Sequence, residues 1–429
     1  VVRALDELEL VPDKAVAGGW MLARHLGQVV LVSGAIPGER ARVMVDRATR
    51  DVAYAHVVEV LEASADRRAP STRWPCGGNA YAHIGYARQL QLKADLVRDA
   101  LARIAHLPHE GPLAVAPSTE RGYRLRARFH AGPGGFGFYR EGTHSPCDPA
   151  ETGQLLDATV AVVRELSRVV RADRHHGITA LELAENCPAT ERSVHVEARA
   201  LDAAGLRRLA VAGITGVTGA RMADPGTVVV HGHPTVRDEI AVDAGDGRVL
   251  VQLQRSARAF FQGNRYLLAP LVNRVVRWTN GERVADLYAG VGLFATALAA
   301  AGRTTVVAVE GDAVSSQDLQ LNARAYDGSL RAVHARVEDY LRGWNPVEGA
   351  TAIVDPPRTG LSTEARERLL TACPSRLVYV SCDAATLARD LRSLVGSAYD
   401  LVHLEAFDLF PNTAHVESLA VLDRRHARA

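Results

Sequence analysis

The chain has 429 residues, 23% of them charged, with a formal net charge of +1 at pH 7. That length exceeds one ordinary core and predicts two or three domains; the near-neutral charge excludes a globally basic nucleic-acid binder, though not a local basic face. No apolar run approaches the roughly 20 residues of a membrane span, so no membrane partner is expected. The opening residues do not read as a signal peptide, and the protein is expected in the cytoplasm. Of the 50 basic residues only Lys14 and Lys93 are lysine. The arginine excess has the look of a GC-rich genome, but arginine's planar fork also suits phosphate. The five cysteines, Cys76, Cys147, Cys187, Cys373 and Cys382, are odd in number and scattered, which predicts reduced thiols and no disulfide framework.

Residues 1–62 read as a small β-barrel of the oligonucleotide-binding type. Alternating apolar runs at Gln28–Ser33, Glu39–Asp46 and Ala53–Leu61 are separated by glycine turns. The phrase Val32-Ser-Gly-Ala-Ile-Pro-Gly-Glu-Arg-Ala-Arg-Val43 resembles the TRAM domain, a barrel attached to RNA-modifying enzymes. A structural barrel without a ligand is the alternative. Residues 63–254 follow as a central α/β domain. A helix is predicted over about Tyr86–Ala105, then a strand Tyr123-Arg-Leu-Arg-Ala-Arg-Phe129 whose arginines share one face. That face is either a phosphate contact or a solvated edge. A glycine-rich hairpin spans Gly132–Gly137, and a helix is predicted over 151–171.

Residues 255–429 alternate strand and helix, as in a doubly wound, Rossmann-like parallel sheet. Asp286-Leu-Tyr-Ala-Gly290-Val-Gly292-Leu-Phe-Ala295 lies between the first strand and its helix, and Glu310 ends the next strand, about 20 residues on, where an acid can accept from ribose hydroxyls. The glycine pattern also fits a dinucleotide. Asp286 favours S-adenosylmethionine, because it would repel a pyrophosphate but suits a cationic methionyl end. Asp339, after the third strand, is a candidate adenine contact or an ordinary helix cap.

The fourth strand closes on Asp355-Pro-Pro-Arg358, whose prolines stiffen the turn and aim Asp355 into the crevice. Arg358 stands where amine methylases commonly place a stacking aromatic, which points to a ring carbon as target. The fifth strand runs into Cys382, and the last begins after Glu417. A thiolate added at carbon 6 of uracil makes carbon 5 nucleophilic; a base must then remove the carbon 5 proton. Cys382 is the candidate nucleophile and Glu417 the candidate base. A lone cysteine is more often a packing residue, and an acid before the last strand more often a surface group; the neighbouring motifs argue otherwise.

As a set, Asp-Leu-Tyr-Ala-Gly-Val-Gly, Asp-Pro-Pro-Arg, Val-Ser-Cys-Asp, Thr-Leu-Ala-Arg-Asp and Phe-Pro-Asn-Thr-Ala-His-Val-Glu resemble the RNA 5-methyluridine methyltransferases. The resemblance spans the chain and implies a TRAM barrel, a central domain and a class I methyltransferase domain. It implies Cys382 as nucleophile, Glu417 as base, and Gln262, Tyr288, Glu310 and Asp355 as the S-adenosylmethionine site. Structured RNA, most readily 23S rRNA and alternatively tRNA, is the implied substrate, and a monomer is expected. Two departures stand out. The family's Cys-Asn-Pro is Cys382-Asp-Ala384 here, which predicts a looser turn. Many ribosomal-RNA members hold a four-iron cluster on four cysteines; here the positions read Pro70, Cys76, Asn79 and Cys147, so neither a cluster nor any other metal is expected. A catalytically dead RNA-binding module and a small-molecule carbon methyltransferase are the rival readings. Intact Cys382 and Glu417 oppose the first, and the RNA-type barrel opposes the second.

Overall fold

The computed structural model describes residues 2–69, 76–172, 177–200, 202–221, 224–245, 247–303 and 305–425. The chain opens with β1 (Glu7–Leu10), β2 (Lys14–Ala15), β3 (Met21–His25), β4 (Gln28–Ser33), β5 (Arg40–Ala48) and β6 (Val52–Glu62), which pair in the order β1-β5-β6-β4-β3-β2. Strand alternation sends Val30, Val32, Val43, Val45, Ala53 and Ala55 to one fully buried face around a core of their own. The turn before β5 is fastened by buried Glu39, which accepts from the Ile36 and Ser64 amides (2.9 and 3.0 Å) and pairs with Arg67.

Next come α1 (Tyr86–Ala100) and β7 (Val115–Ala116), which fall in the expected central domain but pack elsewhere. Ala94, Val97 and Ala100 of α1 join the core of the last third of the chain, and β7 extends its sheet. The central sheet is built from β8 (Arg126–Gly132), β9 (Gly135–Tyr139), β10 (Pro146–Cys147), β11 (Ile178–Glu185), β12 (Arg192–Ala198), β13 (Gly216–Arg221) and β14 (Asp224–Gly232). α2 (Asp157–Ala172) covers it, burying Val160, Val163 and Leu166 against Phe129, Leu181 and Leu183, and the short α3 (Ala203–Leu206) caps one end of the same core. α2 starts later than the sequence pattern suggests because Pro149–Thr152 forms a separate 3-10 turn.

One expectation about this region is overturned. Cys76 and Cys147, expected as reduced thiols, are joined in a disulfide inside the core. Pro70 lies outside the described residues, and the Asn79 side chain donates to the Glu151 carbonyl (3.5 Å). The arginine face is not free either. Arg126 pairs with Glu182 (2.6 Å) and Arg128 with Glu182 and Glu197 (2.7 Å each), while Arg124 donates to Gln154. The acids come from β11 and β12 alongside, which the local alternation of β8 does not reveal.

A hairpin of β15 (Thr235–Asp243) and β16 (Arg248–Ser256) leads into the final domain and already shares its core: Ile240 and Leu253 pack with Leu271 and Val275 of α4 (Leu268–Trp278). Then follow β17 (Arg283–Leu287), α5 (Leu293–Ala300), β18 (Thr305–Glu310), α6 (Ala313–Ala323), β19 (Leu330–His334), α7 (Val337–Leu341), β20 (Thr351–Val354), α8 (Thr363–Ala372), β21 (Arg376–Ser381), α9 (Ala384–Ser397), β22 (Tyr399–Phe407) and β23 (Glu417–Arg424). The sheet order is β19-β18-β17-β20-β21-β23-β22-β7, with buried layers on both faces. β17 to β21 are parallel, as expected, but β23 inserts antiparallel between β21 and β22. The sheet is therefore mixed. β22 and β23 are joined by the loop 408–416 with no crossover helix, and a direct hairpin can only make an antiparallel pair. No helix among the described residues is long and apolar enough to cross a membrane.

Candidate active site

Parallel strands direct their carboxyl ends to one edge, and the predicted site residues gather there. Tyr288 follows β17, Glu310 ends β18, Asp355 follows β20 and Cys382 follows β21. Gln262 arrives from the segment before α4, and its side-chain amide donates to Asp355 (3.1 Å). Together with Phe260, Phe261 and the Tyr288–Val291 loop, Gln262 and Asp355 line one cleft.

The glycine loop is shaped by backbone demands. Gly292 has φ +90°, and a Cβ there would meet Leu319 at 2.7 Å. Tyr288 itself sits at φ +62°, a left-handed conformation that a bulky residue rarely adopts and that concentrates at functional sites. Glu310 accepts from the Gly290 amide (2.7 Å), so its carboxylate holds the loop. Asp286 is fully buried; one oxygen accepts from the Ala295 amide (3.0 Å) and the other has no partner. Burial, with Asp355 and Glu310 nearby, pushes the Asp286 carboxyl well above its usual range. Burial likewise raises Glu310, and raises Asp355 to about 7 against the opposing hydrogen bond from Gln262. Three acids crowd beside the glycine loop, and among the described residues one Asp286 oxygen has no partner. The residues fit a ligand with a cationic methionyl end. Asp339 does not cap α7, whose N-cap is Arg336; it lies within that helix and pairs with Arg342 at its end (2.8 Å).

The candidate nucleophile and base lie one strand further along. Ser381 of β21 pairs with Ser418 of β23, which sets Cys382 beside Glu417. Burial pushes the Cys382 thiol up to about 11, aided by the Glu417 charge and opposed by Arg358. Glu417 is 4% exposed; burial and then Asp355 raise its carboxyl well above the usual range, and Arg358 again opposes. Arg358 thus acts on both groups. The turn after Cys382 is not loose: Asp383 accepts from the Thr386 amide (2.8 Å) and caps α9, and its own amide donates to Ser381 Oγ (3.3 Å).

The sequence reading missed the residues that hold these loops. Asp390, fully buried, accepts from the Leu361 amide and the Tyr379 hydroxyl (2.8 Å each), from Arg366 (3.0 Å) and from Arg389 (2.8 Å). It therefore ties the loop after Asp355-Pro-Pro-Arg358 to α8 and α9. Lys93 of α1 makes a fully buried ion pair with Asp408, at the start of the loop that leads to Glu417. A lysine retained in so arginine-rich a chain was the available signal.

The strand order and the cleft define a class I methyltransferase. The comparisons with known proteins agree. The tRNA (Uracil-5-)-methyltransferase family matches residues 336–425. An RNA methyltransferase of Thermosynechococcus vestitus is 32% identical over 97% of this chain and 97% of its own. The 23S rRNA (uracil(1939)-C(5))-methyltransferase RlmD of Thiobacillus denitrificans is 32% identical over 95% of this chain and 97% of its own. The Pyrococcus abyssi tRNA (uracil-54, C5)-methyltransferase, solved with S-adenosyl-L-homocysteine, superposes with a TM-score of 0.74 at 22% identity, covering 96% of this chain and 99% of that one, and so shares the fold. The chain belongs to the RNA uracil-5 methyltransferase family. It is an S-adenosylmethionine-dependent enzyme that methylates carbon 5 of uracil in RNA.

Proposed function

We propose that the enzyme works through a covalent adduct between Cys382 and carbon 6 of a uridine in 23S rRNA. The observation that carries the covalent reading is the adjacency of Cys382 and Glu417 across the β21–β23 ladder, with Arg358 acting on both. The cofactor supplies an electrophilic methyl group. Gln262, Tyr288, Glu310 and Asp355 would hold it, and its cationic end would favour the ionised form of Asp286 as a counter-charge.

The thiolate of Cys382 bonds to carbon 6, and the ring electrons move to the carbon 4 oxygen as an enolate, leaving carbon 5 nucleophilic. Arg358 favours the thiolate by its charge. Once carbon 5 carries the methyl group, Glu417 takes the remaining carbon 5 proton. That electron pair re-forms the ring double bond as the carbon 6–sulfur bond breaks and the thiolate returns. Asp355 and Glu417 repel one another as carboxylates, which keeps Glu417 basic enough for the task.

The target base must leave its stack to reach Cys382. The β1–β6 sheet is assigned as the TRAM barrel and holds flanking RNA. The rRNA target is supported by whole-length relatives named for 23S rRNA, in Thiobacillus denitrificans and Halomonas elongata, each 32% identical. Unmodified 23S rRNA and tRNA transcripts, incubated with S-adenosylmethionine and mapped by mass spectrometry, test the assignment. 5-Methyluridine at one rRNA position supports it; 5-methyluridine in tRNA alone replaces the substrate.

A further inference from the structure

The loop 408–416 enters the sheet next to Phe407, which pairs across the ladder with Glu417. Where the loop sits therefore decides where the carboxyl of Glu417 sits. It is held by polar groups from α1, from the segment before α1 and from the segment before α4. Lys93 Nζ reaches the Asp408 carboxylate and the Phe410 carbonyl (3.0 Å for the latter). Gln89, one turn earlier in α1, donates to the Asn412 side chain (3.0 Å) and accepts from the Asn412 amide (2.9 Å). Arg68 donates to the same Asn412 oxygen (2.7 Å), and Asn264 donates to the Leu409 carbonyl (3.0 Å). Asn412 lies in the left-handed region at φ +65°, a conformation that these bonds maintain.

Lys93 is the fully buried cation of this set, and its partner Asp408 is fully buried too. A buried pair of this kind is poor evidence for stability, because apolar replacements often do as well; fixing one arrangement is its better-attested use. Composition agrees. The chain has two lysines among its 50 basic residues, and a compact ammonium fits a closed site where an arginine fork does not. Both lysines engage α1 or its partners: Lys14, from β2, pairs with Asp99 of α1.

We infer that Lys93 is a positioning residue for proton removal at carbon 5: by pinning Asp408 and Phe410 it holds Glu417 against the methylated adduct. The inference rests on the covalent reading above. The steps before proton removal use Cys382 and Arg358, which the loop does not carry. Loss of Lys93 should therefore leave carbon 6–sulfur bond formation and methylation intact. It should slow the step in which Glu417 takes the carbon 5 proton and the carbon 6–sulfur bond breaks.

The test compares wild type, Lys93→Met, and Lys93→Met combined with Asp408→Asn, which leaves no unpaired buried charge. The probe is an unmodified 23S rRNA transcript, with active sites counted by trapping on the same transcript made with 5-fluorouridine. Single-turnover methyl transfer should change less than threefold per active site. Release of 5-methyluridine RNA should slow at least tenfold, and a methylated protein–RNA complex should accumulate on denaturing gels. Global destabilisation lowers the active fraction and both steps together, so it cannot produce that split. If methyl transfer and release stay in their wild-type ratio in the variant or variants that fold, Lys93 has no such role. If the wild type traps no 5-fluorouridine RNA, the covalent reading itself fails.

Discussion

Glu417 opens β23 and Cys382 follows β21, and because Ser381 pairs with Ser418 the two residues meet at one end of an antiparallel ladder. In a wholly parallel sheet a residue that begins its strand would lie at the far edge from Cys382. The reversed strand is what brings the proposed base and the proposed nucleophile together. Replacing Glu417 by Gln keeps the shape and removes the base. Methyl transfer should persist for a single turnover, and product release should fall by about 100-fold, within the usual range for general-base loss. Rapid-quench separation of bound and free methylated RNA checks this.

Reactivity of the thiol should climb with pH. With the Cys382 thiol pushed up to about 11, the thiolate is a minor species at neutral pH, and its share grows roughly tenfold per unit until that value is approached. Alkylation of Cys382 in the free enzyme should follow that slope between pH 7 and 9. Arg358→Met removes the one nearby charge that lowers the thiol, so its alkylation should be slower at every pH in that window, by about tenfold. Equal rates in the two proteins would remove Arg358 from thiol activation.

Asp286 separates cofactor binding from stability. Its folded-state carboxyl is raised, so the folded chain prefers the protonated form, and stability is lost as pH rises through the ordinary carboxylate range toward the higher folded value. Asp286→Asn keeps the hydrogen-bonding shape without that charge. At pH 8 the free variant should melt about 2–4 °C higher, equivalent to roughly 1 kcal/mol in a domain of this size. Its affinity for S-adenosylmethionine should drop at least tenfold. Calorimetry of melting and of cofactor titration reads both; a variant that melts lower and binds unchanged would contradict the assignment.

The β8 arginines should matter little to RNA. Arg128 is engaged by Glu182 and Glu197, so its charge is already neutralised locally. Arg128→Ala should change RNA affinity less than threefold and leave the salt dependence of binding unaltered. A loss of tenfold, with a shallower salt slope, would restore the phosphate-contact reading.

The edge that gathers the candidate residues was legible because its signals are local. Strand, glycine loop and acid follow one another within short stretches, and Asp355, Cys382, Tyr288 and Glu310 all sit where their own strands end. What stayed hidden depends on partners far along the chain. Lys93 and Asp408 are 315 residues apart, and the disulfide joins positions separated by 71. The alternating arginines of β8 look like a free basic face until β11 and β12 bring acids beside them. The orientation of β23 had a local signal, the missing helix between Phe407 and Glu417, but helix–strand alternation earlier in the domain outweighed it. Packing of α1 against α9 left no local trace.

The most direct measurement is a trap. RNA carrying 5-fluorouridine has no carbon 5 proton for Glu417 to remove, so an enzyme that bonds through Cys382 should stop as a stable covalent complex with S-adenosylmethionine present. Digestion and mass spectrometry should place the modified nucleotide on the peptide containing Cys382, and Cys382→Ala should form no complex. A wild-type enzyme that methylates RNA yet leaves no adduct, or an adduct on another residue, would contradict the account.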